Sequence, residues 1–508
     1  MESACDIFYG IYDNGGRSDV ISDLLRRLDF HALSITLLAT TASHNVWDYD
    51  RLAREWDTHR TQVLHTGYDE SLAATIGLSL ASPTFCKLGP DARDLLGVIA
   101  FFPQGINENN LDWLFPTISN GRDAFDKFCA LSLTYRSNGF VTMLAPLRDH
   151  LCPRDPMLSP LLMTTKECYF TRLSARVDPG RPGFDKAQWV ISEDVNVEHL
   201  LDVFTLIDAN SVVVWNTCAR FMEHLHWHKP RPVILGSKIE GLPDDHPSKL
   251  RCLDGLSLLF DAVGNHAERK RLLIHALKLW REQEQDHYVA RTLRTLSGAN
   301  RMLGLYKEGI QQAKEALEIC ERLNDRSGQA RCLDRLARVL RSDNQLDAAE
   351  ETVSLAINLL QDGDRYLASQ CHRILGEIYR SKGEIGMAIR SLETALGIAS
   401  PFNWNVELFW IHSTLAKLFF GESRVDDAHS HIERAKLHAI NDAYRLGCAM
   451  ELQATFWYKE RKFEEAKSEA SCAVDVYGKI GATRGVEGCR KILQDIGGQM
   501  KQLAITNG

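Results

Sequence analysis

ARCLDRLARVLRSDNQLDAAEETVSLAINLLQ at 330–361 and SQCHRILGEIYRSKGEIGMAIRSLETALGIAS at 369–400 place small residues at the same positions. Ala337 aligns with Gly376, Ala349 with Ala388 and Ala356 with Ala395. The pattern continues outward from this pair. Gly309, Ala349, Ala388, Ala428 and Ala466 lie 40, 39, 40 and 38 residues apart. An alanine follows each by seven residues, at Ala316, Ala356, Ala395, Ala435 and Ala473. Twelve residues before each stands Ser297, Ala337, Gly376, Ala416 or Ala454, and in the last four a bulky Leu340, Tyr379, Phe419 or Trp457 follows three later. A repeated helix–turn–helix unit explains this spacing, because small residues let two antiparallel helices approach closely. One such unit cannot bury its apolar face alone, so the units must stack. The reading is an all-α solenoid.

These positions resemble the tetratricopeptide repeat family, with a longer period than its usual one. The resemblance implies a right-handed helical solenoid of six units across 249–482, beginning near residues 250, 290, 330, 369, 409 and 447. The first unit is degenerate, with Ser257, Arg269 and Ala276 at its small-residue positions, as expected of a shielding end repeat. Residues 483–508 read as a capping helix near 484–498 and a tail, QLAITNG, that should fray. Proline use agrees: of fifteen prolines, only Pro401 lies beyond residue 248, and it falls between two repeats.

The chain has 508 residues, enough for several domains, and a net charge of −8, which offers no general attraction to nucleic acid or an anionic membrane. No apolar run reaches the ~18 residues of a spanning helix, and MESACDIFYG lacks the pattern of a signal peptide. Thirteen cysteines without any C-x-x-C pair argue against structural zinc and suit a reducing compartment. A cytoplasmic location is expected.

Before residue 250 the chain reads as more helices. SDVISDLLRRLDFHALSITLLATTA at 18–42 opens on a Ser-Asp cap, and a helix carrying Trp47, Leu52 and Trp56 follows. FHALSITLLAT and WDYDRLAREWD resemble the segment after the nucleotide-binding core of NB-ARC ATPases, the STAND signalling NTPases of fungal and plant NLR-like receptors. That family's Gly-Leu-Pro-Leu element falls on Phe30, His31, Ala32 and Leu33, so its adenine-packing proline is Ala32 here. Two helices over 71–102, another opening at Leu111, a helix over Phe125–Ser132 and a hairpin turning at Ser137-Asn138-Gly139 resemble the same family's winged-helix module. Its Met-His-Asp element falls on Met143, Leu144 and Ala145, without the phosphate-sensing histidine. No G-x-x-x-x-G-K-[ST] loop occurs, so the cradle, lysine and magnesium-binding hydroxyl of a phosphate site are missing. The expectation is a truncated or diverged family member without the P-loop core. Residues 1–65 would be a helical remnant of the ATPase region, and 66–152 winged-helix-like. Lys and Arg number six and Asp and Glu nine over 66–150, a balance of −3, whereas a DNA reader needs a basic face.

Residues 153–248 read as a helical linker region, with proline-rich breaks, a helix near 158–175, helical pattern over 194–228 and a loop, PRPVILGSKIEGLPDDHP, into the solenoid. His224, His226 and His228 could suggest a metal site, but no Cys, Asp or second histidine pair stands near. A surface or helix-end cluster is the reading.

In a helical-pair array the first helix of each pair lines the concave groove, and residues 2, 5, 9 and 12 of each repeat share that face. These positions hold Arg291, Arg294, Arg301, Arg331, Arg338, Arg341, Arg373 and Arg380, opposed only by Asp334 and Glu377, with His412 and Lys417 added by the fifth repeat. Two readings are open. The arginines pair with acids of neighbouring helices, or they receive an acidic peptide or a C-terminal carboxylate, which arginine forks bind bidentately.

No G-x-S-x-G elbow, H-E-x-x-H or comparable constellation occurs, so no catalytic residue, metal or cofactor is expected, although the resembled family uses ADP and ATP. The function expected is a non-enzymatic protein–protein interaction scaffold or sensor. Its partner is a protein or acidic peptide in the groove, or another chain in a homo- or hetero-oligomer, and neither nucleic acid nor membrane. The alternative is an ADP/ATP-responsive signalling switch that retains partial nucleotide binding.

Overall fold

The computed structural model describes residues 2–506 except 29, 64–69, 117, 119–120, 175–188, 229–230, 232, 361–362 and 441. Among the described residues the fold is all-α apart from one small sheet, and the chain forms two compact units: residues 1–172 with 195–200, and residues 173–194 with 201–508.

The first unit begins with α1 (Glu2–Ile11), α2 (Asp19–Arg27), α3 (Ala32–Asn45), α4 (Tyr49–Val63) and α5 (Glu70–Ala81). Ser18 caps α2, its hydroxyl accepting from the Val20 amide at 3.2 Å. Phe8, Leu25, Leu38, Trp47, Trp56 and Leu78 form the core that ties these five helices together. The short α6 (Pro83–Cys86) and then α7 (Asp91–Phe101) follow, then β1 (Ile106–Asn107), α8 (Leu111–Leu114), α9 (Gly121–Ala130), β2 (Tyr135–Ser137) and β3 (Phe140–Thr142). The antiparallel sheet has the order β1-β3-β2. Asn138 and Gly139 turn the hairpin with φ of 52° and 80°, the left-handed pair that matches strand twist. Gly105, at φ 78°, lies so close to β3 that a Cβ there would collide with the Val141 carbonyl oxygen. The buried Asn196 side chain holds this corner, accepting from the Gln104 amide at 3.0 Å and donating to the Gly105 carbonyl at 2.9 Å. α10 (Ala145–Leu151) and α11 (Pro160–Ser174) close this part of the chain. Helix α1 has no counterpart in the sequence-based expectation.

α12 (Trp189–Ile207), α13 (Val212–His228) and α14 (Leu235–Gly241) lead into the array. α14 lies where a loop was expected: Leu235 and Ile239 are buried, one helical turn apart. The three-histidine segment lies at the end of α13, one of the two places expected, but not at the surface. His224 is fully buried, and an Nδ1 contact of 2.9 Å links His226 to the Leu258 carbonyl of the next helix. Burial draws the His226 imidazole down to about 4, so it packs as a neutral ring. The side chain of His228 lies outside the described residues.

Six helix pairs follow: α15 (Lys249–Ala262) with α16 (His266–Glu282), α17 (Asp286–Met302) with α18 (Tyr306–Arg322), and α19 (Arg326–Ser342) with α20 (Leu346–Leu359). Then come α21 (Arg365–Lys382) with α22 (Ile385–Ala399), α23 (Asn405–Gly421) with α24 (Val425–His438), and α25 (Ala443–Lys459) with α26 (Phe463–Lys479). The small residues sit at the crossings. Ala349, Ala388, Ala428 and Ala466 are fully buried, and a Cβ on Gly376 would meet Leu392 Cγ at 2.7 Å and the Ala388 carbonyl at 3.2 Å. Many of the turns pass through a left-handed residue, Gly264, Gly304, Asn324, Asn344 or Gly383 among them, which ends one helix and starts the next within a few residues. α27 (Thr483–Thr506) caps the array and runs well past the expected end near 498. The tail expected to fray is helical through Thr506, and 507–508 lie outside the described residues. The array curls until its first turn, Val263–Gly264, meets α25 and α27 across a cavity of about 400 Å³. There a Cβ on Gly264 would lie 3.7 Å from Arg484 Cβ.

Candidate partner-binding face

The first helix of each pair packs on its own partner and, from α17 onward, on the first helix of the next pair. This lines up α17, α19, α21 and α23 as one wall, on which the eight arginines stand. The structure divides them into two groups.

Five are neutralised. Arg291 pairs with Asp254 of α15, and Arg331 with Asp364, the residue that caps α21, at 2.9 Å. Arg338 grips Asp334 one turn earlier through two bonds of 2.8 and 3.0 Å. Arg341 reaches Glu377 at 2.7 Å. Arg373 bridges Glu377 and Glu407 at 2.8 Å each, deep in the wall, where the Arg373 side chain is 6% exposed and that of Glu407 1%. Burial alone would raise the Glu377 carboxyl, yet the guanidiniums of Arg341 and Arg373 hold it down to about 2.

Three have no carboxylate partner among the described residues: Arg294, Arg301 and Arg380. A fourth arginine that the repeat positions did not select, Arg335 of α19, joins them. Among the described residues, the Nε atoms of Arg301, Arg335 and Arg380 are buried without a hydrogen-bond partner, as is that of the paired Arg341. Burial, reinforced by Arg338 and Arg341, draws the Arg301 guanidinium down to about 10. Burial and then Arg338 draw Arg335 to about 9, with Asp334 opposing and Arg294 and Arg301 adding to the pull. Arg294 is lowered in the same way, by burial first.

His412 does not add to the cationic stripe. It is buried, with its Nδ1 2.9 Å from His431 Nδ1 and its ring stacked on His438. Burial and these two neighbours draw it to about 3, so it is uncharged. Lys417 is exposed, and its field reaches Glu377.

The acids that sequence reasoning missed are Asp254, Asp364 and Glu407. A signal was present: each lies 33 to 37 residues from its arginine, about one repeat away. That is the offset at which neighbouring first helices present facing residues. Nothing comparable marked Arg335, which leans across α17 because Gly298 leaves it room.

Among the described residues no group of three or more His, Cys, Asp or Glu is arranged to hold a metal ion. None of the described helices is long and apolar enough to cross a membrane. In the first unit, Met143 is buried and Leu144 stands 45% exposed at the start of α10.

Residues 288–362 match the tetratricopeptide repeat family. No curated protein matches the sequence. Among solved structures, the chain is similar to a signal transduction ATPase with numerous domains (STAND) protein with a tetratricopeptide repeat sensor from Pyrococcus horikoshii. The identity is 12% and the TM-score 0.48, over 99% of this chain and 74% of that one. It is also similar to a Rap protein complexed with Competence and Sporulation Factor, at 12% identity and TM-score 0.40, over 66% of this chain and 99% of that one. A third is BtubC from P. vanneervenii, at 15% identity and TM-score 0.34, over 43% and 91%. The matched residues span two of the six helix pairs, α17 to α20.

Proposed function

We propose that this chain is a non-catalytic scaffold or sensor whose six-repeat array, residues 249–482, binds a protein partner or acidic peptide along its inner wall. One observation carries the reading. On a wall where five arginines are matched to carboxylates, Arg294, Arg301, Arg335 and Arg380 have no such match among the described residues, although three of them bury an Nε. Half-buried cations without counter-ions are costly, and an anionic segment from a partner would supply what they lack. Residues 1–65 and 66–152 are, on this reading, the helical remnant and winged-helix-like part of an NLR-like signalling NTPase. The helix–strand–helix–helix–hairpin order from α7 to β3 supports that origin.

The test is a fluorescence titration of the full chain with a labelled peptide pool rich in Asp and Glu. Binding should weaken about tenfold in an Arg294→Ala/Arg380→Ala variant and fall with added salt, as expected for charge-assisted contacts. Equal affinity of the variant and the parent would remove the inner wall as the binding face.

A further inference from the structure

Three of the unmatched arginines are gathered at one place. Arg294, Gly298 and Arg301 are spaced four and three residues apart on α17, so they share one stripe of that helix. Arg335 of α19 lays its guanidinium on the middle of the stripe. A Cβ built on Gly298 would stand 2.8 Å from its Nη1 and 3.1 Å from its Cζ, a space that a larger side chain would take. The result is a short ladder of guanidiniums, Arg294, Arg335 and Arg301, held across two helices. The carboxylates whose fields reach this ladder are already engaged: Asp334, which acts on Arg335, by Arg338; Glu377 and Asp261, which act on Arg301, by Arg341 with Arg373 and by Arg269. Among the described residues, Nε of Arg301 and of Arg335 is buried without an acceptor.

A single carboxylate brings one charge and two acceptor oxygens, too little for three cations. A phosphate monoester brings about −1.5 to −2 charges near neutral pH and three strong acceptor oxygens. Guanidinium forks bind such oxygens bidentately. We propose that Arg294, Arg335 and Arg301 form a phosphate site on the inner wall, and that its ligand is a phosphorylated serine or threonine side chain of the partner. This rests on the inner-wall reading above and adds to it what anchors the partner. Gly298 acts as a positioning residue, because it holds Arg335 between the other two.

The test uses the full chain and three degenerate heptapeptide pools centred on phosphoserine, glutamate and serine, with inorganic phosphate and AMP as small-molecule probes. The phosphoserine pool should bind at least tenfold tighter than the glutamate pool. That preference should be lost in Arg335→Gln. It should also be lost in Gly298→Ala, which keeps all three charges and, by replacing a helical glycine, does not weaken the fold. Circular dichroism checks that both variants are folded. Equal binding of the phosphoserine and glutamate pools overturns the phosphate site and leaves the acidic-partner reading standing. Binding of AMP or inorganic phosphate as tightly as the phosphoserine pool overturns the peptide source. Binding by none of the three pools overturns both readings. A phosphoserine preference that survives both variants places the site elsewhere and overturns the assignment.

Discussion

Replacing Arg335 by methionine should stabilise the unliganded chain, whereas removing one member of a matched ion pair destabilises a fold. Methionine has a similar length and helix propensity, so the substitution mainly deletes charge. The magnitude comes from the arginine's surroundings. Burial, and then Arg338, lower its guanidinium from its ordinary value to about 9. The charged form is therefore penalised in the folded state, and the penalty is complete below about pH 9 and fades as pH rises toward the ordinary arginine range. At about 1.4 kcal/mol per unit, the difference has a ceiling of roughly 5 kcal/mol. The guanidinium keeps some solvent at its edge, and screening there reduces the gain to about 1–3 kcal/mol. For a unit of this size, that is a rise of about 2–6 °C in the array's melting transition. The assay is thermal and urea unfolding followed by circular dichroism in phosphate-free, low-salt buffer. A methionine variant less stable than its parent would show that Arg335 already has its counter-ion within the chain, and the argument for an external anion would fail.

The paired half of the wall should respond in the opposite sense. Arg373→Ala leaves Glu407 buried without its partner and should cost about 3–5 kcal/mol in urea unfolding; a loss under 1 kcal/mol would mean that solvent already reaches this carboxylate. Gly376→Ala, which drives a methyl group against Leu392 and the Ala388 carbonyl, should cost about 1–3 kcal/mol despite alanine's better helix propensity; a gain in melting temperature would show that α21 and α22 can separate freely. The folded state keeps His412 neutral from its ordinary 6.5 down to about 3, whereas the unfolded chain takes up the proton below 6.5. Stability should therefore be fully present above pH 6.5 and decline as pH falls, and His412→Phe should flatten that decline by on the order of 2 kcal/mol between pH 6.5 and 4; parallel pH profiles would refute it. Saturating ADP should leave the melting temperature unchanged, because Ala32, Leu144 and Ala145 replace the resembled family's nucleotide contacts; a shift of several degrees would favour a nucleotide switch.

The array was readable from residue spacing because helix crossings tolerate only small side chains. Ala349, Ala388 and Ala428 announce the crossings directly, and the structure buries each of them completely. The hairpin at Asn138-Gly139 was equally legible, since few sequences supply two consecutive left-handed residues. Side-chain pairing was less so. Spacing places Arg291 and Arg331 on the inner wall, but their partners, Asp254 and Asp364, lie on neighbouring repeats and depend on how the helices are offset. Arg335 was missed because its position in the repeat belongs to the flank, and only the gap at Gly298 lets it lean onto the face. His412 was misread as a groove cation because periodicity gives a direction but not the depth, and depth decides whether an imidazole carries charge. α14 hid among prolines and glycines at 229–248, where only Leu235 and Ile239 mark its buried side.

If the inner wall is the surface a partner occupies, ligand should protect it selectively. Hydrogen exchange on the full chain, with and without a saturating phosphoserine or acidic peptide pool, tests this most directly. The prediction is slowed exchange in α17, α19 and α21 around Arg294, Arg335 and Arg380, with residues 2–63 unchanged. Slowed exchange confined to the second helices of the pairs, or to the first unit, would contradict it.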